Sequence, residues 1–313
     1  VNKAELLSSL RLPLMAAPMS IASNRALVSA AIQAGVMACF PTHNAAREGG
    51  LAVWIDELQA LQRQGLERGE AISAFAVNIN VSRAKPRALL AEEIAVCRNA
   101  RLPVITSNAG DPSELVKQVH DWGGLVIHDA TTVEQAERAI AAGVDGLMLV
   151  CAGAGGLGGL LSPFAFVPKV RRMFDGIIQL AGGVADGAGI AAAQTLGADM
   201  VCMGTRFIAT VESGVDSGHK QMLTESGSAD VLWTDAICGI AANFLKASIR
   251  QNGLDPACLP ALTDGRTNIP ASIKPWKMVW SGGHSVELIE HVPTLAQLVL
   301  ELEESYRKAR GTT

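Results

Sequence analysis

Short apolar runs recur along the chain, each followed by a polar turn and then an amphipathic stretch. Eight runs have this form, at residues 13–19, 36–40, 72–79, 103–107, 124–128, 145–150, 177–181 and 199–203. Their apolar positions are nearly consecutive rather than alternating, as in strands covered on both faces. Between them the spacing predicts helices over 24–33, 51–66, 86–99, 112–122, 132–142, 162–174 and 187–196. The helix at 132 opens on Thr-Thr-Val-Glu and stops at Gly143, a start and a stop signal in the right order. Strands alternating with helices of this length imply parallel pairing through right-handed crossovers, and eight such units close into a (β/α)8 TIM barrel. A doubly wound open sheet is the alternative.

After the eighth run the pattern changes. Residues 212–285 read as helical segments and loops, with a helix expected within 233–250 and prolines at 256, 260, 270 and 275. An amphipathic helix follows at 294–310. The expected organisation is therefore a barrel over 1–211, a helical lid or insertion over 212–285, and a segment 286–313 whose C-terminal helix packs on the barrel. The insertion reads either as a wall over the barrel mouth or as the surface of a homodimer.

Composition narrows the partners. The 313 residues are 49% apolar and 18% charged, with a formal net charge of -4. Near-balanced charge without a basic run argues against nucleic acid. No apolar run approaches the roughly 20 residues that span a bilayer, and no secretory leader is expected before Leu14, so a soluble cytoplasmic protein is expected. None of the six cysteines sits in a Cys-x-x-Cys pair, so reduced structural thiols are expected. No His/Asp/Glu cluster has metal spacing.

Barrel enzymes place their chemistry where strands end and loops begin. The strand ends here are mostly small: Ala17-Pro18-Met19, Asn78, the glycine-rich 152–159 and Gly182-Gly183, with Gly204-Thr205 after the eighth run. Glycine turns after the seventh and eighth strands, leading into helix N-termini, predict a phosphate site built from backbone N–H groups. Sugar phosphates and other phosphorylated metabolites use the same place, so the turns alone name no cofactor.

Several pieces together resemble the nitronate monooxygenase (2-nitropropane dioxygenase) family, which includes related FMN enoyl reductases. They are Ala17-Pro18-Met19, Asn78, His128, the Gly-Val-Asp-Gly of 143–146, the Ala-Gly-Ala-Gly-Gly of 152–156, the Ala-Gly-Gly of 181–183 and the Met-Gly-Thr-Arg-Phe of 203–207. The Trp-Ser-Gly-Gly-His of 280–284 resembles a C-terminal element of one branch. The resemblance implies FMN with its phosphate on Gly182, Gly183, Gly204 and Thr205. Its ring would lie against Ala17, Pro18, Met19 and Asn78, with His128, Ala154, Gly155 and Gly156 as further contacts.

The family carries a histidine directly after its Ala-Gly-Gly run, and here that position is Leu157, which can neither take nor give a proton. His43 and His284 are the candidates to replace it, each weighed against a structural histidine; His120, His219 and His291 read as ordinary surface or helix residues. Leu157, Leu160, Leu161, Phe164 and Trp280, with Met19 beneath, would wall an apolar pocket. The resulting expectation is an FMN oxidoreductase that oxidises an alkyl nitronate or related small hydrophobic substrate with oxygen. The alternatives are an NAD(P)H-dependent enoyl, acyl-thioester or quinone reductase, a non-catalytic flavin binder and a flavin-free phosphometabolite barrel.

Overall fold

The apolar runs become strands whose two faces serve different layers. In this computed structural model, which describes residues 2–46 and 48–311, the strands are β1 (Leu14–Ala16), β2 (Met37–Pro41), β3 (Phe75–Asn80), β4 (Val104–Asn108), β5 (Leu125–Ala130), β6 (Gly146–Val150), a short β7 (Gly156–Leu157), β8 (Ile177–Ala181) and β9 (Met200–Met203). All but β7 are parallel and form a closed barrel, with β9 returning to β1 through Met15↔Cys202 and Ala16↔Met203. The seventh and eighth barrel strands are thus β8 and β9. Val1, Arg47, Thr312 and Thr313, which include the outer ends of the first and last expected segments, lie outside the described residues.

Successive side chains point to opposite faces of a strand. Met15, Met37, Cys39, Val104, Ile127 and Met200 form one buried cluster inside the barrel. Their neighbours Leu14, Ala38, Ile105, Val126 and Val201 belong to a second, larger cluster between barrel and helices. A helix at Lys3–Ser8, capped by Asn2, adds Leu6 to the inner cluster and so covers one end of the barrel.

The crossover helices follow the expected pattern, with the caps that the sequence carries. Thr132 accepts from the backbone of Gln135, and Asp186 accepts from Gly189 at the start of the helix Gly187–Leu196. Asp145 accepts from the backbone N–H of Val126 at 2.8 Å, tying β6 to β5.

The segment after the barrel differs from expectation in one respect. It holds helices at Ser217–Glu225 and Lys246–Gln251, but the stretch expected as one helix is helical only from Lys246; before it come the end of β10 (Val231–Thr234) and all of β11 (Ala242–Leu245). These pair antiparallel, and β11 also pairs with β7, making a three-stranded sheet. A turn closes at Gly239 (φ +80°), whose N–H donates to the Asp235 carbonyl, Trp233, Thr234 and Phe244 favour strands, and the distant β7 supplies the edge on which β11 pairs. The closing helix Leu295–Ala309 begins on a Thr294–Gln297 capping box and packs on Gly187–Leu196. No helix among the described residues is long and apolar enough to cross a membrane.

Candidate functional site

The C-terminal ends of the barrel strands open into a cavity of about 650 Å³. Each turn at its floor is held from outside. Ser23 Oγ donates to the Ala17 carbonyl at 2.8 Å and accepts from the Met19 N–H, while Asn44 Nδ2 donates to the Met19 carbonyl. The first turn is thereby fixed beside Gly204, where an added Cβ would lie 3.4 Å from Met19 Sδ. Asn78 faces the cavity and donates to Thr106 Oγ1, which also contacts Cys39 Sγ.

The glycine turns after β8 and β9 line the same cavity. Gly182 (φ +122°) is pressed against the backbone of residues 151–154, whereas a Cβ on Gly183 (φ +73°) would meet nothing within 4 Å. Among the described residues, the N–H groups of Gly183 and Thr205 donate to no protein acceptor. Open space, left-handed backbone and unspent N–H donors make an anion cradle, with the start of the helix Gly187–Leu196 directly behind it. The arginine of the Met-Gly-Thr-Arg-Phe run does not join this cradle. Arg206 is buried, donates to the Ala209 and His291 carbonyls, and pairs with Glu301 of the closing helix at 4.0 Å.

The loop after β6 is clamped by the segment that follows the barrel. Asn243 of β11 donates to the Ala154 carbonyl at 2.7 Å, and the Gly283 N–H donates to Thr205 Oγ1 at 3.0 Å. Backbone meets backbone here: a Cβ on Gly283 would sit 2.3 Å from the Gly153 carbonyl. That contact explains the Gly-Gly of the 280–284 element.

The structure separates the expected site residues. Ala17, Pro18, Met19, His43, Asn78, Ala154, Gly155, Gly156, Gly182, Gly183, Gly204 and Thr205 all line the cavity, as does Leu157. His43 sits exposed at the rim with Nε2 2.9 Å from Ser20 Oγ. His284 is exposed and outside the cavity wall; its N–H donates to Gly153 and its ring lies against that glycine. His128 also lies outside the wall. It shares the outward parity of Val126, and Nδ1 is 2.8 Å from Ser107 Oγ. Of the expected apolar walls only Leu157 and Met19 line the cavity; Leu160 and Phe164 are 72% and 73% exposed, and Trp280 stacks on His219.

Sequence reasoning missed several cavity residues. His219 lines the wall, buried, with Nε2 2.9 Å from the Ser281 carbonyl; that nitrogen must carry the proton, since a carbonyl only accepts. Lys85 and Glu93 form a nearly buried ion pair in the wall, and Asp129 enters it from β5. Burial pushes the Asp129 carboxyl up to about 7, opposed by a hydrogen bond from the Ala109 backbone. Asp129 is a strand-end carboxylate in the sequence, and parity places it on the cavity side: it is two residues from inward-facing Ile127, as His128 is from outward-facing Val126. The thiols are free, and burial pushes Cys39 up to about 12, too high for a nucleophile near neutral pH.

Two of the histidines link this site to acid stability. Burial depresses both His128 and His219 to about 4, from 6.5. The unfolded chain therefore binds more protons than the fold between pH 6.5 and 4, and their effect is lost stability as pH falls through that window. Asp129, raised from 3.8 to about 7, acts in the opposite direction as pH falls through its own window. The comparison that isolates one group is the melting temperature of wild type and His219→Gln from pH 7 to pH 4. The variant is expected to lose less stability over that range; an identical slope would remove His219 from the acid response.

Glycine turns at the ends of the last two barrel strands, opening into a cavity lined by polar and titratable side chains, are an arrangement common to (β/α)8-barrel enzymes. The sequence profile of the nitronate monooxygenase family matches residues 50–304, and the chain belongs to that family. A nitronate monooxygenase of Paraburkholderia phytofirmans is 29% identical over 239 residues, which cover 69% of this chain and 65% of the relative. A probable nitronate monooxygenase of Staphylococcus haemolyticus is 30% identical over 223 residues, covering 64% and 62%. The chain thus spans less than two-thirds of the length of these relatives. In fold it is similar to a nitroalkane oxidase from Streptomyces ansochromogenes, with a TM-score of 0.79, 24% identity, and 98% and 99% of the two chains covered.

Proposed function

We propose that this chain is an FMN-dependent oxidoreductase that oxidises alkyl nitronates, or a related small hydrophobic substrate, with oxygen. The observation that carries the reading is the pair of glycine turns after β8 and β9, which face one cavity with unspent N–H donors. The residues present fit FMN. Gly183 leaves room where a phosphate needs it, and the buried Asn108 Oδ1, in the cavity wall, has no hydrogen-bond partner in the protein. Gly182, Gly183, Gly204 and Thr205 would hold the phosphate. The turn 17–19, Asn78 and the 154–156 loop would hold the ring. Bound there, FMN would supply two-electron oxidation of the substrate and transfer of those electrons to oxygen. The chain itself orients the substrate, and the lid sheet, with Trp276 and Ser281 at the wall, restricts access of water.

Leu157 supports a second reading. With no proton carrier on the loop after β6, hydride transfer from NAD(P)H to an enoyl or acyl thioester, or to a quinone, becomes a competitor. One experiment separates the readings. The purified protein, reconstituted with FMN, is mixed anaerobically with an alkyl nitronate and then with NAD(P)H. Bleaching of the flavin's visible absorption by nitronate, followed by oxygen consumption in air, is the expected result. Bleaching by NAD(P)H alone would move the assignment to the reductase. A protein that takes up no FMN would overturn both.

A further inference from the structure

Asp129 occupies a position that the strand geometry makes hard to explain as structural. It lies on the inward face of β5 beside Met148 of β6 and enters the cavity wall with Ser107, Asn108, Met148 and Val150. The backbone around it is unusual. Ala109, whose N–H hydrogen-bonds the Asp129 carboxylate, has φ +57°, and Gly110 follows at φ +125°. A side chain on Gly110 is excluded, since its Cβ would lie 2.7 Å from the Val81 carbonyl. A non-glycine residue held left-handed is strained, and here that turn directs one N–H at one carboxylate.

Among the described residues, no cation neutralises that carboxylate. From the segment after β3, the cavity's ammonium, Lys85, is taken by Glu93. From the turn after β4, Asp111 acts on His128, which faces the helices. β3 and β4 contribute Asn78, Asn80, Ser107 and Asn108, and β6 contributes Met148 and Val150. Among the described residues, His43, His219 and the Cys202 thiol, which burial pushes up, are the remaining titratable groups of the wall. A structural aspartate would be expected to have a cationic or multiply donating partner. This one has a single backbone donor and an open face.

Resting on the function proposed above, we propose that Asp129 is the proton-transfer group of this cavity, in place of a side chain on the loop after β6. Its carboxylate takes the α-hydrogen of a nitroalkane as a proton. The C–H electron pair becomes the C=N bond, the N=O π pair moves onto oxygen, and the products are the nitronate and the neutral carboxylic acid. The step needs no oxidant. It extends the substrates from nitronates to the neutral nitroalkanes that precede them.

The test is therefore made without turnover. The reconstituted enzyme is held anaerobically in D2O with a small primary nitroalkane, and loss of the α-hydrogen signal is followed by NMR from pH 5 to 9. After subtraction of the buffer rate, enzyme-catalysed exchange is expected to rise through an inflection near pH 7. In Asp129→Asn it is expected to fall by about 100-fold or more. Equal exchange in wild type and Asp129→Asn would overturn the assignment. A second measurement does not depend on the variant's activity: the side-chain carboxyl resonances of 13C-aspartate-labelled wild type. One is expected to titrate near 7, and titration of every aspartate in the ordinary carboxylate range would overturn the proposal. Failure to bind FMN would refute the oxidoreductase reading and leave the aspartate titration readable. Normal bleaching by nitronate without Asp129-dependent exchange would refute this inference alone.

Discussion

Gly183→Asp is expected to leave the barrel folded and to abolish retention of FMN. Gly183 stands at φ +73° with no atom within 4 Å of where a Cβ would go. The fold itself therefore has room for a side chain, and aspartate is among the residues that best tolerate left-handed backbone. What it does not have room for is a second negative group. A carboxylate about 4 Å from one phosphate charge costs about 4 kcal/mol at an effective dielectric near 20, or close to 1000-fold in affinity. Gly183→Asn, equal in size and neutral, separates charge from bulk and is expected to bind much more tightly than the aspartate variant. FMN affinity by fluorescence quenching and the melting temperature of the flavin-free protein are the two readings. If the aspartate variant binds FMN like wild type, the phosphate lies elsewhere and the proposed cofactor loses its main support.

The difference between what the sequence reveals at this site and what it hides is a matter of range. Gly182, Gly183 and Gly204 are legible because a glycine turn between a buried strand and a helix is a local event, dictated by its own backbone. The eight barrel strands are legible for the same reason, since burial on both faces leaves a continuous apolar run. Lys85 and Glu93 were invisible because their pairing is a contact within the cavity wall that no motif announces. His219 was read as an ordinary helix residue because its burial comes from Trp280 and Ser281, some sixty positions away. β10 and β11 are hidden because β11 pairs with β7 as well as with β10, and β7 is a two-residue strand that exists only when the barrel loop and the segment after the barrel meet.

His128 and Asp129 show the same limit at its smallest scale. Both stand at the end of a correctly placed strand, and a one-residue change of parity exchanges cavity and helical layer. The histidine attracts attention by its chemistry, yet it pairs with Ser107 and does not itself line the cavity. The aspartate next to it faces the cavity. The expected apolar pocket fails for a related reason: Leu160 and Phe164 follow the β6 loop in sequence, but the chain has already left the mouth by then, and they face outward.

The site also depends on a contact far from its chemistry, and Gly187→Ala tests it. Alanine is the better helix former, so propensity alone predicts a gain of roughly 0.5–1 kcal/mol. Packing reverses the sign. Gly187 opens the helix that follows the Gly182–Gly183 turn, and the closing helix crosses it so closely that a Cβ would lie 2.1 Å from the Tyr306 nitrogen and 2.3 Å from the Leu302 carbonyl. Both obstacles are helix backbone and cannot rotate aside. The crossing is further fixed by Tyr306 Oη donating to Gln194 Oε1 at 2.6 Å. Relief requires moving one whole helix, so the substitution is expected to cost about 3 kcal/mol and to lower Tm by roughly 6 °C or more. Gly69→Ala is the control, left-handed at φ +73° with nothing near its Cβ, and is expected to cost about 1 kcal/mol from backbone alone. Because Asp186 caps the displaced helix and the anion cradle precedes it, Gly187→Ala is also expected to weaken FMN binding while Gly69→Ala is not. Equal melting temperatures for the two variants would mean that the closing helix gives way at little cost and does not hold the cradle in place.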